Sequence, residues 1–226
     1  MRVAALYDIH GNAPALEAVL ADVSASGADI IVVGGDVVEG PLPAETLALL
    51  DAVSAPLVWV RGNCDRDPSE WVRERIAKQR AAWLAELPTT VTIDVDDLGA
   101  VCFCHGSPRS DEDIVTAVST VARIEPMLDG VDEALVVSGH THVQFDRLVA
   151  HRRLVNAGSV GMPYQGESGW AYWSVLGPTV EHRRSAFDAN ALETALRESG
   201  YPNPEWFEPE SPEDAAEEYE QMAREA

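Results

Sequence analysis

The sequence predicts an α/β protein in which one sheet packs on another with helices on the outside. Short apolar runs alternate with helical patterns in the first half of the chain, as in successive strand-helix units. Farther along, the pattern changes to short strands separated by Gly, Pro and charged residues. This mixture favours a packed pair of sheets over one doubly wound sheet.

Three strand-helix units are predicted first. Their strands are apolar runs of the length expected for buried strands, over residues 2–7, 29–33 and 57–60. The helices that follow begin near Asn12, Pro43 and Pro68, and the third ends before Pro88.

The second half is predicted to be mostly strands. A hairpin over residues 89–95 and 100–104 turns near Asp97 and Gly99, and a helix is expected over 115–128. Further short strands are predicted over residues 134–138, 143–149, 153–156, 171–176 and 179–184.

Composition restricts the function. The chain has 226 residues, 46% of them hydrophobic, and no apolar run long enough to cross a bilayer, so we expect a cytoplasmic protein. Its formal charge of −22 argues against a nucleic-acid backbone as the main partner and favours cations. The three cysteines indicate no disulfide framework. Oligomeric state is left open.

Residues 205–226 form an acidic C-terminal segment. Ser211, with Asp214 three residues later, is typical of a capping box that opens a helix. A solvated helix or frayed tail is expected here, with no chemistry assigned to it.

Polar side chains with metal-binding capacity follow the predicted strands. Asp8 and His10 follow the first strand, Asp36 the second and Asn63 the third. Ligands of open α/β sheets bind at the carboxyl ends of strands, so these side chains are expected to converge.

Three histidines close later strands in the same manner. His105 ends the 100–104 strand, and His140 and His142 follow the 134–138 strand. Residues two apart in extended backbone point the same way, so Asp8 with His10, and His140 with His142, can face one site. Each residue alone is as well explained by a cap or a satisfied polar group; together they predict a metal site.

Five segments carry a family resemblance. They are Asp8-Ile9-His10-Gly11-Asn12, Gly35-Asp36, Gly62-Asn63-Cys64-Asp65, His105-Gly106 and Gly139-His140-Thr141-His142. In order and spacing they resemble the motifs of the calcineurin-like metallophosphoesterases, over residues 1–161. The later segment 156–161 resembles the one that closes the core in small prokaryotic members of phosphodiesterase type.

The resemblance implies a four-layer α-β-β-α sandwich over residues 1–204, with two mixed sheets. It also implies two divalent ions, one bound by Asp8, His10 and His142, the other by Asn63, His105 and His140, with Asp36 bridging. Mixed carboxylate and imidazole ligands suit Mn, Fe, Ni or Zn better than Mg or Ca. The implied activity is hydrolysis of small phosphoesters, most simply phosphodiesters, by hydroxide generated between the ions.

The residues predicted to take part in catalysis are Asp36, Asn63, His105 and Cys64. Cys64 departs from the family pattern, since many members have a His there that protonates the leaving group. A thiol does this poorly, which favours substrates with good leaving groups.

Two residues are candidates for substrate contact. Arg109 can pair with a phosphate through a bidentate fork, although a solvated loop arginine is an equal alternative. Asn12 can contact phosphate or cap the first helix, and the cap has the stronger local support.

Other functions stay open. A nucleotidase or dinucleoside polyphosphate hydrolase is the enzymatic alternative, and a non-catalytic interaction scaffold of the same fold is the alternative from another class. A DNA nuclease is disfavoured by the acidic charge.

Overall fold

The computed structural model describes residues 1–225; the last residue of the acidic segment, Ala226, lies outside this range. Among the described residues, ten strands form two five-stranded sheets. The strands are β1 Val3–Leu6, β2 Ile30–Val33, β3 Leu57–Trp59, β4 Thr90–Val95, β5 Gly99–Cys104, β6 Leu135–Ser138, β7 Phe145–Val149, β8 Arg152–Asn156, β9 Trp170–Leu176 and β10 Val180–Ala186.

The helices of the described chain lie between and after these strands. They are α1 Ala13–Ser26, α2 Pro43–Asp51, α3 Asn63–Arg66, α4 Glu70–Arg73, α5 Lys78–Ala85, α6 Val121–Ile124, α7 Ala189–Ser199 and α8 Pro212–Glu225, with 3₁₀ turns at Glu125–Leu128 and Pro204–Phe207. None of these helices combines the length and apolar character that a membrane crossing requires.

Both sheets are mixed. The first has the order β10-β9-β1-β2-β3, with β1, β2 and β3 parallel and β9 antiparallel to both β1 and β10. The second has the order β4-β5-β6-β8-β7, with β5, β6 and β8 parallel and the two edge strands antiparallel.

The alternation of side chains along β1 shows how the layers are held. Val3, Ala5 and Tyr7 belong to the apolar cluster between the two sheets, whereas Ala4 and Leu6 belong to the cluster under the outer helices. Successive strand side chains point to opposite faces, so a strand buried on both faces must be apolar throughout. A third cluster covers the far face of the second sheet. The predicted α-β-β-α sandwich is confirmed.

The helix predicted over 115–128 is wrong. Residues 115–120 are a loop, because Thr116 and Ser119 bond each other's backbone N–H through their hydroxyls, at 3.1 and 2.8 Å. Such local bonds compete with the helical ladder. Only α6 and the following 3₁₀ turn, which contains Pro126, are helical.

The long helix predicted from Pro68 is divided into α4 and α5. Extended backbone at Ala77 separates them. With this break, Val72, Ile76 and Leu84 all reach the apolar cluster under the outer helices. Burial therefore outweighs local helix preference here. Helix α7, which the sequence patterns did not predict, is capped by Asp188, whose carboxylate accepts from Asn190 N.

Candidate metal centre and its cavity

The predicted polar residues lie together at the carboxyl ends of β1, β2, β3, β5 and β6. The turns after β1 and β2 are bonded to each other, since Asp8 N donates to Gly35 O at 3.0 Å and His10 N to Asp36 O at 2.9 Å. Two sequence-distant turns therefore form one rigid floor.

Two groups of potential ligand atoms form on this floor. Asp8, His10 and His142 make one group, and Asp36, His105 and His140 make the other; within each group, one atom per residue lies within 4.8 Å of the others. Asp36 Oδ2 lies 3.8 Å from His10 Nε2 and 3.4 Å from His105 Nε2. Asp8 Oδ1 likewise lies 3.9 Å from His10 Nε2 and 3.7 Å from His105 Nε2. Both carboxylates thus reach both groups.

The residues converge through a backbone conformation that differs from the expected one. Five of them have positive φ, namely Asp8 at 52°, His10 at 47°, Asp36 at 53°, His140 at 66° and His142 at 57°. We expected the pairs two residues apart to converge through extended backbone, and that reason is wrong. Non-glycine residues in this region are strained, and such strain is typical of functional sites.

Hydrogen bonds from Nδ1 to backbone carbonyls fix the orientation of two of the imidazole rings. His105 Nδ1 lies 2.9 Å from Gly34 O, and His10 Nδ1 lies 3.0 Å from Glu39 O. A carbonyl accepts only, so Nδ1–H is the donor in each ring and Nε2 is directed into the site. Metal-binding histidines are usually oriented in this manner.

The carboxylate of Asp65 holds the turn that carries Asp36. It accepts from Asp36 N at 2.8 Å, Val37 N at 2.9 Å and Gly62 N at 3.1 Å. Burial and the charge of Asp36 raise the pKa of Asp65 to about 7. Asp65 therefore links the second and third strand ends.

The donor atoms fit a pair of transition-metal ions. Asp8 Oδ1, Asn63 Oδ1 and His105 Nε2 are buried without a hydrogen-bond partner. In addition, His10 Nε2 and His142 Nε2 face each other at 3.2 Å. Unpaired buried polar atoms are costly. Divalent ions bound by these carboxylate, amide and imidazole donors would satisfy them.

Electrostatics among the site residues are dominated by buried carboxylates. Burial lowers the pKa of His105, but the charges of Asp36 and Asp8 outweigh it and raise that pKa to about 10. Burial and the charge on His105 lower the pKa of His140 to about 4. Burial raises the pKa of Asp36, but the combined effect of His105, His10 and His140 outweighs it, and this pKa falls. Without metal, His105 therefore carries the compensating positive charge.

A cavity of about 680 Å³ opens above the two groups. Its floor includes His10, Asp36, Asn63, Cys64 and His142. This volume suits a small organic ligand. Burial and the charge of Asp36 raise the pKa of the Cys64 thiol well above its usual value.

The two predicted substrate contacts lie away from the cavity lining. Asn12 is fully buried; its Oδ1 accepts from Ala15 N at 3.1 Å and its Nδ2 donates to Gly161 O at 2.8 Å. Asn12 therefore caps α1, which is the better supported of the two alternatives given for it above. Arg109 forms an ion pair with Asp113 at 2.6 Å and its side chain is 53% exposed.

Three aromatic residues that line the cavity, Tyr164, Trp206 and Tyr219, were not identified from sequence. Tyr219 Oη donates to His140 O at 3.1 Å, and the Tyr164 ring lies 4.9 Å from the His142 ring. Tyr219 belongs to the acidic tail, expected to be solvated. The expected helix is present as α8, with Ser211 Oγ accepting from Asp214 N at 3.1 Å. The expected solvation is wrong, because Ala215 on this helix is 1% exposed. The i, i+4 spacing of Ala215 and Tyr219 was an available signal.

Hydrogen bonds and an ion pair of Glu220 hold α8 in this position. Glu220 accepts from Thr116 Oγ1 at 2.8 Å and from Ser119 Oγ, and it forms an ion pair with Arg123. The unusual loop at residues 115–120 therefore receives the C-terminal helix.

Comparison with known proteins agrees with this geometry. The calcineurin-like phosphoesterase superfamily domain matches residues 1–175. Phosphodiesterase YfcE of Escherichia coli is 33% identical, over 35% of this chain and 54% of that protein. The chain thus spans about half the length of the curated relatives it matches.

Solved structures are similar over a larger share. A metallophosphoesterase from Sphaerobacter thermophilus has 26% identity and a TM-score of 0.72, covering 92% of this chain and 98% of that one. A hypothetical protein from Pyrococcus horikoshii has 18% identity and a TM-score of 0.77, covering 91% and 96%. The latter shows the fold alone. From the domain match over most of its length, the chain belongs to the calcineurin-like phosphoesterase superfamily.

Proposed function

We propose that this protein is a metal-dependent phosphoesterase with two transition-metal ions, and that it acts on phosphodiesters. The observation that carries the proposal is the pair of adjacent ligand groups: Asp36 Oδ2 and Asp8 Oδ1 each lie within 3.9 Å of an imidazole nitrogen of both groups. The proposed ligands are Asp8, His10 and His142 for one ion and Asn63, His105 and His140 for the other, with Asp36 between them.

Such ions, when bound, stabilise charge on a phosphoryl group and make water more acidic. The residues of the chain supply geometry. Gly34 O and Glu39 O hold two imidazoles in the tautomer that presents Nε2. Asp65 fixes the backbone of Asp36 through three N–H groups, so the bridging carboxylate is preorganised.

The charge of the cavity supports a diester over a monoester. Among its described lining residues there is no Lys or Arg, whereas four glutamates line its outer part. A diester carries one negative charge, and a monoester near neutral pH carries close to two. Nucleoside polyphosphates carry more, which disfavours the alternative of a dinucleoside polyphosphate hydrolase. The related YfcE is named a phosphodiesterase.

Leaving-group chemistry follows from Cys64. Its thiol lies on the cavity floor beside Asn63, and burial raises its pKa far above neutrality. It is therefore a weak proton donor. General-acid catalysis contributes typically about 10²- to 10⁴-fold, so we propose that the substrates have leaving groups that depart without protonation, such as the phenolates of aryl esters.

The test is reconstitution after chelation with Mn, Ni, Zn or Mg. Metal content is measured together with hydrolysis of bis-p-nitrophenyl phosphate and p-nitrophenyl phosphate. We expect two ions per chain and faster diester hydrolysis. If none of the four metals supports turnover, the enzyme proposal is overturned and the alternative of a non-catalytic scaffold remains. Faster monoester hydrolysis would favour a nucleotidase.

A matched pair of variants separates the site from general charge effects. Asp36→Asn removes the bridging charge and is expected to lose bound metal and at least about 100-fold in kcat/KM. Asp51→Asn makes the same chemical change at a surface carboxylate paired with Arg80 and should behave like the wild type. Equal activity of the two variants would contradict the assignment of Asp36.

A further inference from the structure

The outer part of the cavity has an aromatic wall. Tyr164 and Tyr219 stand side by side with ring centroids 6.4 Å apart, and each ring lies against one of the site histidines. Trp206 adds a third ring at the mouth, where it is 45% exposed. Aromatic ring faces carry partial negative charge and attract cations.

Carboxylates surround the same space. Glu205, Glu208, Glu210 and Glu218 line the cavity, and among the residues that the structure describes none of the four forms an ion pair. By contrast, Glu220, which lies on α8 with Glu218, forms an ion pair with Arg123. The four lining charges are thus left available to a ligand.

The like charges affect their neighbours. Burial, with the negative charges of Glu210 and Glu218, raises the pKa of Tyr164 above its usual value. Burial and the charges of Glu218 and Asp214 also raise the pKa of Glu210. A bound cation would relieve this repulsion.

Buried polar atoms without a hydrogen-bond partner indicate a ligand site in this cavity, independently of these glutamates. His142 lines it, is 3% exposed and has an Nδ1 atom without a partner. Asn63 Oδ1 is likewise buried and unpaired on the floor. A phosphoryl group bound by the proposed ions would lie over this floor, and the aromatic and acidic wall would face whatever is attached to it.

We propose that the substrate is a phosphodiester whose second ester group carries an alkylammonium cation, bound between Tyr164, Tyr219 and the carboxylates of Glu210 and Glu218. This inference rests on the proposed function, because it assigns the group attached to the phosphate hydrolysed there. Three rings favour an organic ammonium over a hydrated metal ion, since the methylene or methyl groups of such a cation also bury apolar surface against them.

The decisive comparison uses two esters of p-nitrophenol. One is p-nitrophenyl phosphorylcholine, and the other is p-nitrophenyl 3,3-dimethylbutyl phosphate, in which carbon replaces the positive nitrogen. Leaving group, phosphate charge and shape are the same, so the ratio of kcat/KM reports the cation alone. We expect the choline ester to be favoured about tenfold, mainly through KM.

Binding provides a readout without turnover. Calorimetric titration of the metal-loaded protein with choline and with 3,3-dimethylbutanol should show tighter binding of choline. Equal or weaker binding of choline would overturn the proposal.

Variants locate the effect. Glu210→Gln with Glu218→Gln should reduce the preference for the choline ester to below about threefold. Glu213→Gln with Glu217→Gln removes the same charge from exposed positions of α8 outside this cavity and should retain it. If both double variants retained the preference equally, the assignment to this wall would be wrong.

The outcomes separate the two proposals. Failure to hydrolyse bis-p-nitrophenyl phosphate as well as both esters would refute the phosphodiesterase function itself. Turnover of bis-p-nitrophenyl phosphate, with no preference for the choline ester, would refute only the ammonium assignment. A p-nitrophenyl ester of a nucleotide hydrolysed better than the choline ester would also refute it, in favour of a nucleobase on the aromatic wall.

Discussion

Gly62→Ala tests whether close packing between two strand ends positions Asp36. Gly62 has φ −93° and ψ 169°, extended backbone that alanine adopts without strain. A Cβ there would lie 2.2 Å from Asp36 Oδ1 and 2.3 Å from Asp36 N, and real Cβ contacts are essentially never shorter than 3.0 Å. The carboxylate could rotate away, but the backbone nitrogen must move by about 1 Å to regain van der Waals contact.

That movement disturbs two bonds that hold Asp36. Its N donates to Asp65 Oδ2 at 2.8 Å, and its Oδ1 accepts from Cys64 N at 2.8 Å. Overpacking of this kind costs about 1–3 kcal/mol, and each kcal/mol lowers Tm by about 2–4 °C in a chain of this size. Misplacing a positioned group by about 1 Å can cost about 100-fold in rate. We therefore expect weaker metal binding and kcat/KM lower by about 100-fold.

The assay combines thermal unfolding, metal content after dialysis and hydrolysis of bis-p-nitrophenyl phosphate. Gly130→Ala is the control: Gly130 has φ +82° and nothing within 4 Å of an added Cβ. This backbone conformation costs alanine about 1–2 kcal/mol, so stability falls by a similar amount while the site is untouched. Wild-type metal content and activity in Gly62→Ala would refute the reasoning. If Gly130→Ala also lost activity, the loss in Gly62→Ala would be explained by lower stability and not by displacement of Asp36.

Three further outcomes are expected. Cys64→His should raise the rate on alkyl esters with poor leaving groups by about 10- to 100-fold and change aryl esters little, and an unchanged alkyl rate would contradict the leaving-group argument. Arg109→Ala should change kcat/KM by less than about threefold, because the guanidinium is exposed and paired with Asp113, and surface pairs contribute little; a tenfold rise in KM would restore it as a substrate contact. The charges of Asp36 and Asp8 raise the pKa of His105 to about 10, so a metal ion must displace a proton from this imidazole. Metal affinity should therefore increase with pH from 6 to 9 with proton release, measured by calorimetry in buffers of different ionisation enthalpy. Affinity independent of pH would contradict this charge state.

The secondary structure was predictable where local signals and burial agree. Within the predicted strand 2–7, residues 3–6 are apolar on both faces, and β1 is buried on both faces. The helix expected at 115–128 failed, because hydroxyls of Thr116 and Ser119 take over the backbone bonds and Pro126 lies within it. The periodicity of apolar residues carries no information about side-chain hydrogen bonds that compete with the helical backbone bonds.

The convergence of Asp8, Asp36 and Asn63 was predictable because parallel strands bring their carboxyl ends to one edge. The way in which Asp8 and His10 converge was not, since both have left-handed backbone held by bonds to Gly35 O and Asp36 O. Strain of that kind is stabilised by tertiary contacts, and no local preference of Asp or His predicts it.

By itself, the sequence determined the sandwich, the strand-end residues and their order along the chain, since these follow from apolar periodicity and from the position of polar residues after strands. Only the tertiary structure decided what stands over them. Tyr219 lies 79 residues from His140 along the chain, and it reaches His140 because Glu220, Arg123 and the 115–120 loop hold α8 there. Contacts between segments so far apart depend on shape and charge complementarity in the folded state, which local patterns of residues do not encode.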